Sequence, residues 1–276
     1  MLVFRSQYES ENDYLPVYKI TETEENILRM SPSVWLDPSQ GMHSSDGINI
    51  SAIDDRSGTA TWRPIRSGYM PRLITSESRQ PFLNFGLGRG PTIPGALLAD
   101  NKYEAFNIDG VFSLAMVYRV PLRQQGGYDG TGGNIIGNND TSPNIFRLRF
   151  RDDGYRGNML YLHHGTTSPI TQNNYPINTS FTDNGIWHTL FIEVTKEHHL
   201  IEVDGILKQI RLVQAIPFAN NTSRQLIIGG AGNPLNNGFF GDIGLVLVIP
   251  KLITSEEKAF IYSQTNKIKE NLSQTS

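Results

Sequence analysis

Two acidic residues, Glu202 and Asp204, have a spacing that could serve the cleavage of a glycosidic bond. A retaining glycosidase needs two carboxyl groups about 5–5.5 Å apart in one cleft, one as nucleophile and one as acid/base. However, Gly205 follows directly, and Asp-Gly between apolar segments is a strong signal for a two-residue hairpin turn. We therefore predict a non-catalytic turn, with Ile201 and Val203 pointing inward and Glu202 outward.

A row of arginines forms a second candidate site. Arg147, Arg149 and Arg151 alternate with apolar residues in segment 144–151, so on a strand they would stand about 7 Å apart on one face. Guanidinium groups pair with carboxylates through two parallel hydrogen bonds. The row could bind an anionic polysaccharide or an acidic neighbouring subunit. It could equally be a solvated face or a sheet edge guarded by charge.

The long loop 124–142 is rich in glycine and asparagine and contains Tyr128 and Asp129. Loops at the end of a jelly roll commonly carry binding sites. The Tyr128 ring could stack on a sugar while Asn and Asp side chains bond to its hydroxyl groups. Alternatively, the loop has no ligand of its own and is ordered by a partner. Tyr128 and Asp129 join the three arginines as candidate ligand-binding residues.

The sequence gives little support for a metal site. The pairs His163–His164 and His198–His199 cannot each grip one ion, because neighbouring strand residues point to opposite faces. The chain also has no cysteine. We therefore predict no cofactor, while the family resemblance given below leaves open a calcium ion held by carboxylates and carbonyl oxygens. The loop carboxylates available to it are Asp129, Asp140, Asp152 and Asp153.

The segments that carry these residues have the patterns of β-strands. Apolar and polar residues alternate in 111–120 and 144–151, and 158–165 is the expected antiparallel neighbour of the latter. Segment 241–250 is almost continuously apolar, as is typical of a strand buried on both faces. Strands recur every ~10–15 residues with turns between them, which predicts a sandwich or jelly roll. Further strands are expected at 187–194, 200–203 and 224–230.

One helix is expected near each end of the chain. Thr21 with Glu24, and Thr254 with Glu257, have the spacing of a capping box. The second helix should pack on a sheet through one side. That side is predicted to contain Ala259, Phe260, Tyr262 and Ser263.

These elements suggest a division of the chain into three parts. Residues 1–30 are predicted to form an arm that contains the first helix. Residues 31–266 are predicted to form one domain, and residues 267–276 a frayed tail.

Composition excludes several classes of protein. The 276 residues contain no cysteine, so disulfide frameworks and thiolate chemistry are ruled out. A net charge of −3 gives no footprint for nucleic acid. No apolar run approaches ~18 residues, so we expect no membrane insertion. The first residues lack the basic and long apolar regions of a secretory signal. The 26 glycines and 15 prolines suit a turn-rich β protein.

The order of several segments matches a known family. The first three segments are PSVWLDPSQ (32–40), IDDRSGTATWRP (53–64) and RQPFLNFG (79–86). The later four are IWHTLFIEV (186–194), LIEVDGIL (200–207), LIIGGAGN (226–233) and GFFGDIGLVLVIPKLITSEEKAFIYSQ (238–264). Together they resemble laminin G-like members of the concanavalin A-like lectin/glucanase superfamily. The resemblance extends over roughly 32–266. It implies an all-β, concanavalin A-like jelly-roll sandwich of two antiparallel sheets with a short C-terminal helix.

The same resemblance argues against catalysis. Glucanases of this superfamily carry Glu-x-Asp-x-x-Glu on one strand, and the position of the second Glu is Leu207 in this chain. The fold itself does not decide the function, because it occurs in lectins, glycosidases, adhesion modules and structural virion domains.

We predict a non-catalytic binding or structural module, located in a bacteriophage virion as a tail, fibre or capsid-decoration protein. Its partners would be other virion proteins or copies of itself, engaged through the arm. One alternative is an extracellular or cell-surface lectin that binds a glycan through Tyr128 and Asp129. The other is a divergent glycoside hydrolase that uses Glu202 and Asp204.

Overall fold

Over the residues that the structure describes, the chain forms a β-sandwich of two antiparallel sheets with two helices, which confirms the predicted all-β class. The structure is a computed structural model that describes most of the chain. The described residues are 20–66, 68, 70–86, 95–100, 111–120, 134–138, 146–152, 158–164, 175–177, 185–195, 198–211, 225–230 and 239–274.

One sheet has eight strands, in the order β15-β14-β13-β8-β17-β6-β5, with β1 also paired to β17. These strands are β1 (Val34–Leu36), β5 (Arg72–Thr75), β6 (Pro81–Asn84), β8 (Phe112–Arg119), β13 (Trp187–Val194), β14 (His198–Val203), β15 (Ile206–Arg211) and β17 (Asp242–Ile249). Both β8 and β17 lie in the middle of the sheet. This explains why β17 is buried along its whole length, as its apolar sequence predicts.

The other sheet has nine strands, in the order β12-β11-β10-β9-β16-β7-β4-β3-β2. These strands are β2 (Met42–His43), β3 (Ala52–Asp54), β4 (Thr61–Pro64), β7 (Leu97–Ala99), β9 (Asn134–Asn138), β10 (Phe146–Asp152), β11 (Asn158–His164), β12 (Tyr175–Ile177) and β16 (Leu226–Ile228). The predicted antiparallel pairing of β10 with β11 is present, with Arg151 opposite Met159.

The main core lies between the two sheets. Strand β8 shows how the sequence builds it, because alternate side chains enter opposite layers. Phe112, Met116 and Tyr118 belong to the core between the sheets, whereas Ala115 and Val117 belong to a second cluster on the other face.

That second cluster lies under the two helices, α1 (Glu22–Arg29) and α2 (Ser255–Ser273). Both predicted capping boxes are present. The cluster joins sheet residues such as Trp187 and Phe191 to Ile27 near the end of α1 and Ile261 of α2. All of its strand residues belong to the eight-stranded sheet. The helices therefore cover the outer face of this sheet only.

Helix α2 differs from its predicted form in two ways. It continues to Ser273, so residues 267–273 are helical where a frayed tail was predicted. The physical reason is Leu272, which is fully buried and anchors the last turn. The predicted packing side was also wrong in part. The buried side consists of Ile261, Thr265 and Leu272, while Ala259 and Ser263 are exposed.

No helix in the described part of the chain is long and apolar enough to cross a membrane.

Candidate functional site

The acidic doublet lies at a hairpin, as predicted. Asp204 and Gly205 form the two-residue turn between β14 and β15, with φ angles of +49° and +76°. Positive φ at both central residues matches the right-handed twist of the flanking strands. Ile201 and Val203 are buried in the core between the sheets, and Glu202 belongs to the opposite, helix-covered face of the strand.

Glu202 is engaged by helix α2. The Lys258 ammonium lies 3.1 Å from Glu202 Oε1 and 3.7 Å from Glu193 Oε2. The same ammonium lies 4.6 Å from the centre of the Phe191 ring, a cation–π contact. The Glu202 side chain is only 13% exposed. Leu207, at the position of the second glucanase carboxylate, is the cross-strand partner of Glu202.

Asp204 is engaged by three other groups. Its carboxylate accepts hydrogen bonds from the Thr189 backbone N–H at 3.0 Å and from the Lys269 ammonium at 2.9 Å. It also bonds to Nδ1 of the buried His188. Burial alone would raise the pKa of Asp204, but the hydrogen bonds from His188, Thr189 and Lys269 outweigh it. Together they hold this pKa well below its usual range.

The two acids therefore bind different lysines of one helix and fasten that helix to the sheet. Lys258 lies in the first turns of α2 and Lys269 near its end. The arrangement closes the face that carries Glu202, where a sugar hydrolase would need an open groove. Lys258 and Lys269 lie 56 and 65 positions from Glu202 and Asp204. The sequence around the two acids therefore could not indicate that these lysines are their partners.

The predicted arginine row lies on β10. Leu148, between Arg147 and Arg149, is fully buried in the core. Because neighbouring strand positions belong to opposite faces, the three arginine positions fall on the outer face of the nine-stranded sheet. Only the backbone of Arg147, Arg149 and Arg151 is described, and Tyr128 and Asp129 lie outside the described residues. Their role in binding stays a prediction.

The calcium hypothesis also stays open. Within the described residues there is no group of three or more His, Asp or Glu side chains that could hold a metal ion. Asp129, Asp140 and Asp153 lie outside the described residues, and only the backbone of Asp152 is described.

Sequence reasoning missed a polar group at the other end of the same sheet. His43 Nε2 lies 2.7 Å from Asp54 Oδ2, and the Thr61 hydroxyl donates to Asp54 Oδ1 at 3.2 Å. The hydrogen bond from His43 is the main cause of a lowered pKa for Asp54. His43 and Asp54 are 53% and 57% exposed, and Arg63 is exposed nearby on β4. The alternation of polar residues around the buried Trp62 is the sequence signal that could have indicated this surface.

Two regions therefore qualify as a candidate binding surface, and both belong to the outer face of the nine-stranded sheet. One is the arginine row on β10. The other is the His43–Asp54 group on β2 to β4. We call this face the outer surface.

Comparisons with known proteins support the fold. No family model matches the sequence, and no curated protein sequence matches it. The binding domain of Paraclostridial mosquitocidal protein 1 is similar in structure, with a TM-score of 0.56 and 16% identity over 79% of this chain. This chain covers 52% of that domain, and thus spans about half its length.

Two further structures have the same fold. The enzymatically active domain of tailspike protein 2 from bacteriophage CBA120 gives a TM-score of 0.50 and 16% identity, covering 85% of this chain and 33% of that one. Domain 4 of AbnA, an extracellular arabinanase from Geobacillus stearothermophilus solved with arabinotriose, gives 0.51 and 13% identity, covering 81% of this chain and 99% of that one. At these identities the likeness establishes the β-sandwich.

Proposed function

We propose that the chain is a non-catalytic binding module of a larger assembly, of the kind found on a bacteriophage virion. It would attach to its target through the outer surface, with Tyr128 and Asp129 as further ligand-binding residues. The observation that carries this proposal is the closure of the opposite sheet face by helix α2, which uses both acidic residues of the doublet.

Three features support a non-catalytic role. A retaining pair of carboxylates must share one open cleft, but Glu202 is largely buried beneath α2. An aliphatic side chain, Leu207, occupies the place of the other carboxylate. Asp204 is held ionised by strong donors, and an acid with a strongly lowered pKa is a poor proton donor near neutral pH.

The virion assignment has support of its own. The chain has no cysteine and is rich in glycine and small polar residues, and its fold is shared with a domain of a phage tailspike. The laminin G-like resemblance is compatible with an adhesion role. Under this proposal, residues 1–30 contact other virion proteins or further copies of this chain.

A second candidate function is a lectin module that binds a cell-surface glycan. It is favoured by the match to nearly all of an arabinanase domain that was solved with an oligosaccharide. In that case the protein would act outside a cell or at its surface, without a virion.

A glycan array probed with the purified chain separates the two candidates. If the lectin function is correct, saturable binding to one glycan class should be lost in Tyr128→Ala or Arg149→Ala. Arg72→Ala, which changes an exposed arginine on β5 of the other sheet, should leave binding unchanged. If no glycan binds, a purely structural role in an assembly is favoured.

The catalytic alternative is tested by polysaccharide hydrolysis. We expect no release of reducing sugar by the wild-type chain from β-glucans, alginate or arabinan. Cleavage that disappears in Glu202→Gln, while the variant stays folded, would overturn the non-catalytic proposal.

A further inference from the structure

Strand β15 forms one edge of the eight-stranded sheet and exposes apolar side chains there. Its only described neighbour is β14, with which it pairs without a register shift from Ile206 to Arg211. Ile206 and Leu207 are 51% and 55% exposed. They are the only two consecutive large hydrophobic residues exposed in the described part of the chain. A regular strand edge is a template for pairing with another strand, and on β15 the described exposed side chains, Ile206 and Leu207, are apolar.

The other edge of the same sheet is closed within the chain. At β5, the Leu73 N–H donates to the Ile48 carbonyl at 2.8 Å, and Asn49 forms a β-bridge with Arg72. The loop before β3 therefore blocks that edge, whereas nothing in the described residues blocks β15. Of the two edges of this sheet, β15 is the one without a further partner among the described residues.

The hairpin determines which backbone groups of β15 face outward. Val203 and Ile206 flank the two-residue turn and pair directly, so they form its hydrogen-bonded closing pair. Backbone groups alternate in direction along a strand. The N–H and C=O groups of Leu207, Gln209 and Arg211 therefore point away from β14.

We propose that β15 pairs antiparallel with β15 of a second copy of this chain, about a two-fold axis at Gln209. In this register Gln209 faces its own copy, Leu207 faces Arg211 of the second copy, and Lys208 faces Ile210. No like charges oppose each other, and all three outward-facing residues are used. A two-fold axis at Lys208 would instead set two lysines against each other, which destabilises a strand pair. Because β15 is compatible with itself in this register, its partner is a second copy of the chain.

Pairing of β15 would join the two eight-stranded sheets into one continuous sheet and bury Leu207. The contact is short compared with a standard protein interface, so the dimer should be weak and dependent on concentration. This association is separate from any contact made by the N-terminal arm.

Sedimentation velocity of the full chain tests the proposal, at concentrations up to about 200 µM because small interfaces are weak. Wild type should shift from monomer to dimer as the concentration rises. Leu207→Lys places a lysine against Arg211 of the second copy and should weaken the dimer about tenfold or more. Leu252→Lys, which changes another exposed leucine (45% exposed), should behave as wild type. A wild type that stays monomeric, or a Leu207→Lys variant that dimerises normally, overturns the proposal.

Cysteine cross-linking tests the register, since the chain has no cysteine of its own. Residues that face each other in a hydrogen-bonded antiparallel pair have Cα atoms about 5.5 Å apart, within the range of a disulfide. Gln209→Cys should therefore form a covalent dimer under mild oxidation. Ile74→Cys, at the blocked edge on β5, should not. Equal cross-linking of both variants, or none with Gln209→Cys, contradicts this register.

Discussion

Asp204 takes part in both a turn and a tertiary contact, the first through its backbone and the second through its side chain. Its backbone adopts a positive φ, a conformation that aspartate and asparagine tolerate better than most residues. Its carboxylate binds the Thr189 N–H, His188 and Lys269. A residue that reads as a turn former in the sequence is therefore also the anchor of a helix that begins about fifty residues later.

We predict that Asp204→Asn lowers the free energy of unfolding by about 1.5–3 kcal/mol at pH 7, the usual size for a hydrogen bond to a charged group. Asparagine keeps the turn but loses the charge that Lys269 and His188 bind. The folded-state pKa of Asp204 lies below that of an unfolded aspartate, about 3.9. Its stabilisation is thus present above about pH 4 and is lost as the pH falls toward the folded-state pKa.

Urea unfolding between pH 3 and pH 8 provides the measurement. The difference between wild type and Asp204→Asn should be largest near neutral pH and should shrink in acid. Glu270→Gln, which alters an exposed carboxylate on α2, should give no comparable difference. A gap between wild type and Asp204→Asn that does not depend on pH would mean that the charge of Asp204 contributes nothing.

Lys258 is predicted to be more important for stability than either of its carboxylate partners. Lys258→Met would leave Glu202 and Glu193 partly buried beside each other without a cation. Losing one partner of a partly buried ion pair leaves an uncompensated charge, so we expect a loss of about 1–3 kcal/mol in the free energy of unfolding. Adding Glu202→Gln should recover part of it. If the double variant is less stable than Lys258→Met alone, the two residues do not interact as described.

At the scale of elements, helix α2 depends on a glycine in the strand beneath it. A Cβ on Gly244 would lie 2.6 Å from Leu272 Cδ1, which is closer than real Cβ contacts come. Gly244→Ala should therefore cost about 1–3 kcal/mol through overpacking. Leu272→Ala should cost about 2–5 kcal/mol through the cavity that it leaves. In the double variant the added methyl group fills part of this cavity, so the total loss should be clearly smaller than the sum. Additive losses, measured by urea unfolding, would contradict the close contact.

Several of the elements could be predicted from local patterns, but β9 (Asn134–Asn138) lies within segment 124–142, which the sequence predicted to be a loop. Alternation placed β8 and β10 within two residues, the Asp204–Gly205 dipeptide placed a hairpin, and Thr-x-x-Glu placed both helix starts. What local patterns could not supply were contacts between distant residues. Lys258 and Glu202 are separated by 56 positions, and such a pair leaves no periodic trace in a sequence.

The prediction that residues 267–276 form a frayed tail was wrong for a related reason. Leu272 is a single apolar residue in a polar segment, and its burial depends on the sheet below it. For the candidate site, alternation was enough to place the arginine positions on β10. It could not reveal the His43–Asp54 pair, which forms only when β2 and β3 come together.

At the scale of the whole molecule, the described residues form three layers: the nine-stranded sheet, the eight-stranded sheet, and helices α1 and α2. The helices cover the outer face of the eight-stranded sheet. The outer surface of the nine-stranded sheet and the β15 edge are therefore the regions that we expect to bind partners. A module of this kind could be attached to an assembly along its edge while its outer surface contacts a target. Binding and self-association would then be separable by mutation.

The layer of helices includes part of the predicted arm. Helix α1 lies inside the predicted arm of residues 1–30, yet Ile27 and Met30 are buried in the cluster under the helices. Glu24 also pairs with Arg56, whose guanidinium lies 4.0 Å from the centre of the Trp35 ring. Deleting residues 1–30 would therefore remove part of a hydrophobic layer and leave Arg56 without Glu24.

We predict that removal of residues 1–19 lowers the midpoint of thermal unfolding by less than about 2 °C, while removal of 1–30 lowers it by about 10 °C or more. Loss of two buried apolar side chains costs several kcal/mol, and each kcal/mol shifts the midpoint by about 2–4 °C in a domain of this size. Differential scanning calorimetry on both deletions provides the comparison. Any loss of assembly that occurs with the shorter deletion can then be assigned to the arm, because the sandwich stays intact. Equal destabilisation by the two deletions would show instead that residues 1–19 belong to the folded domain.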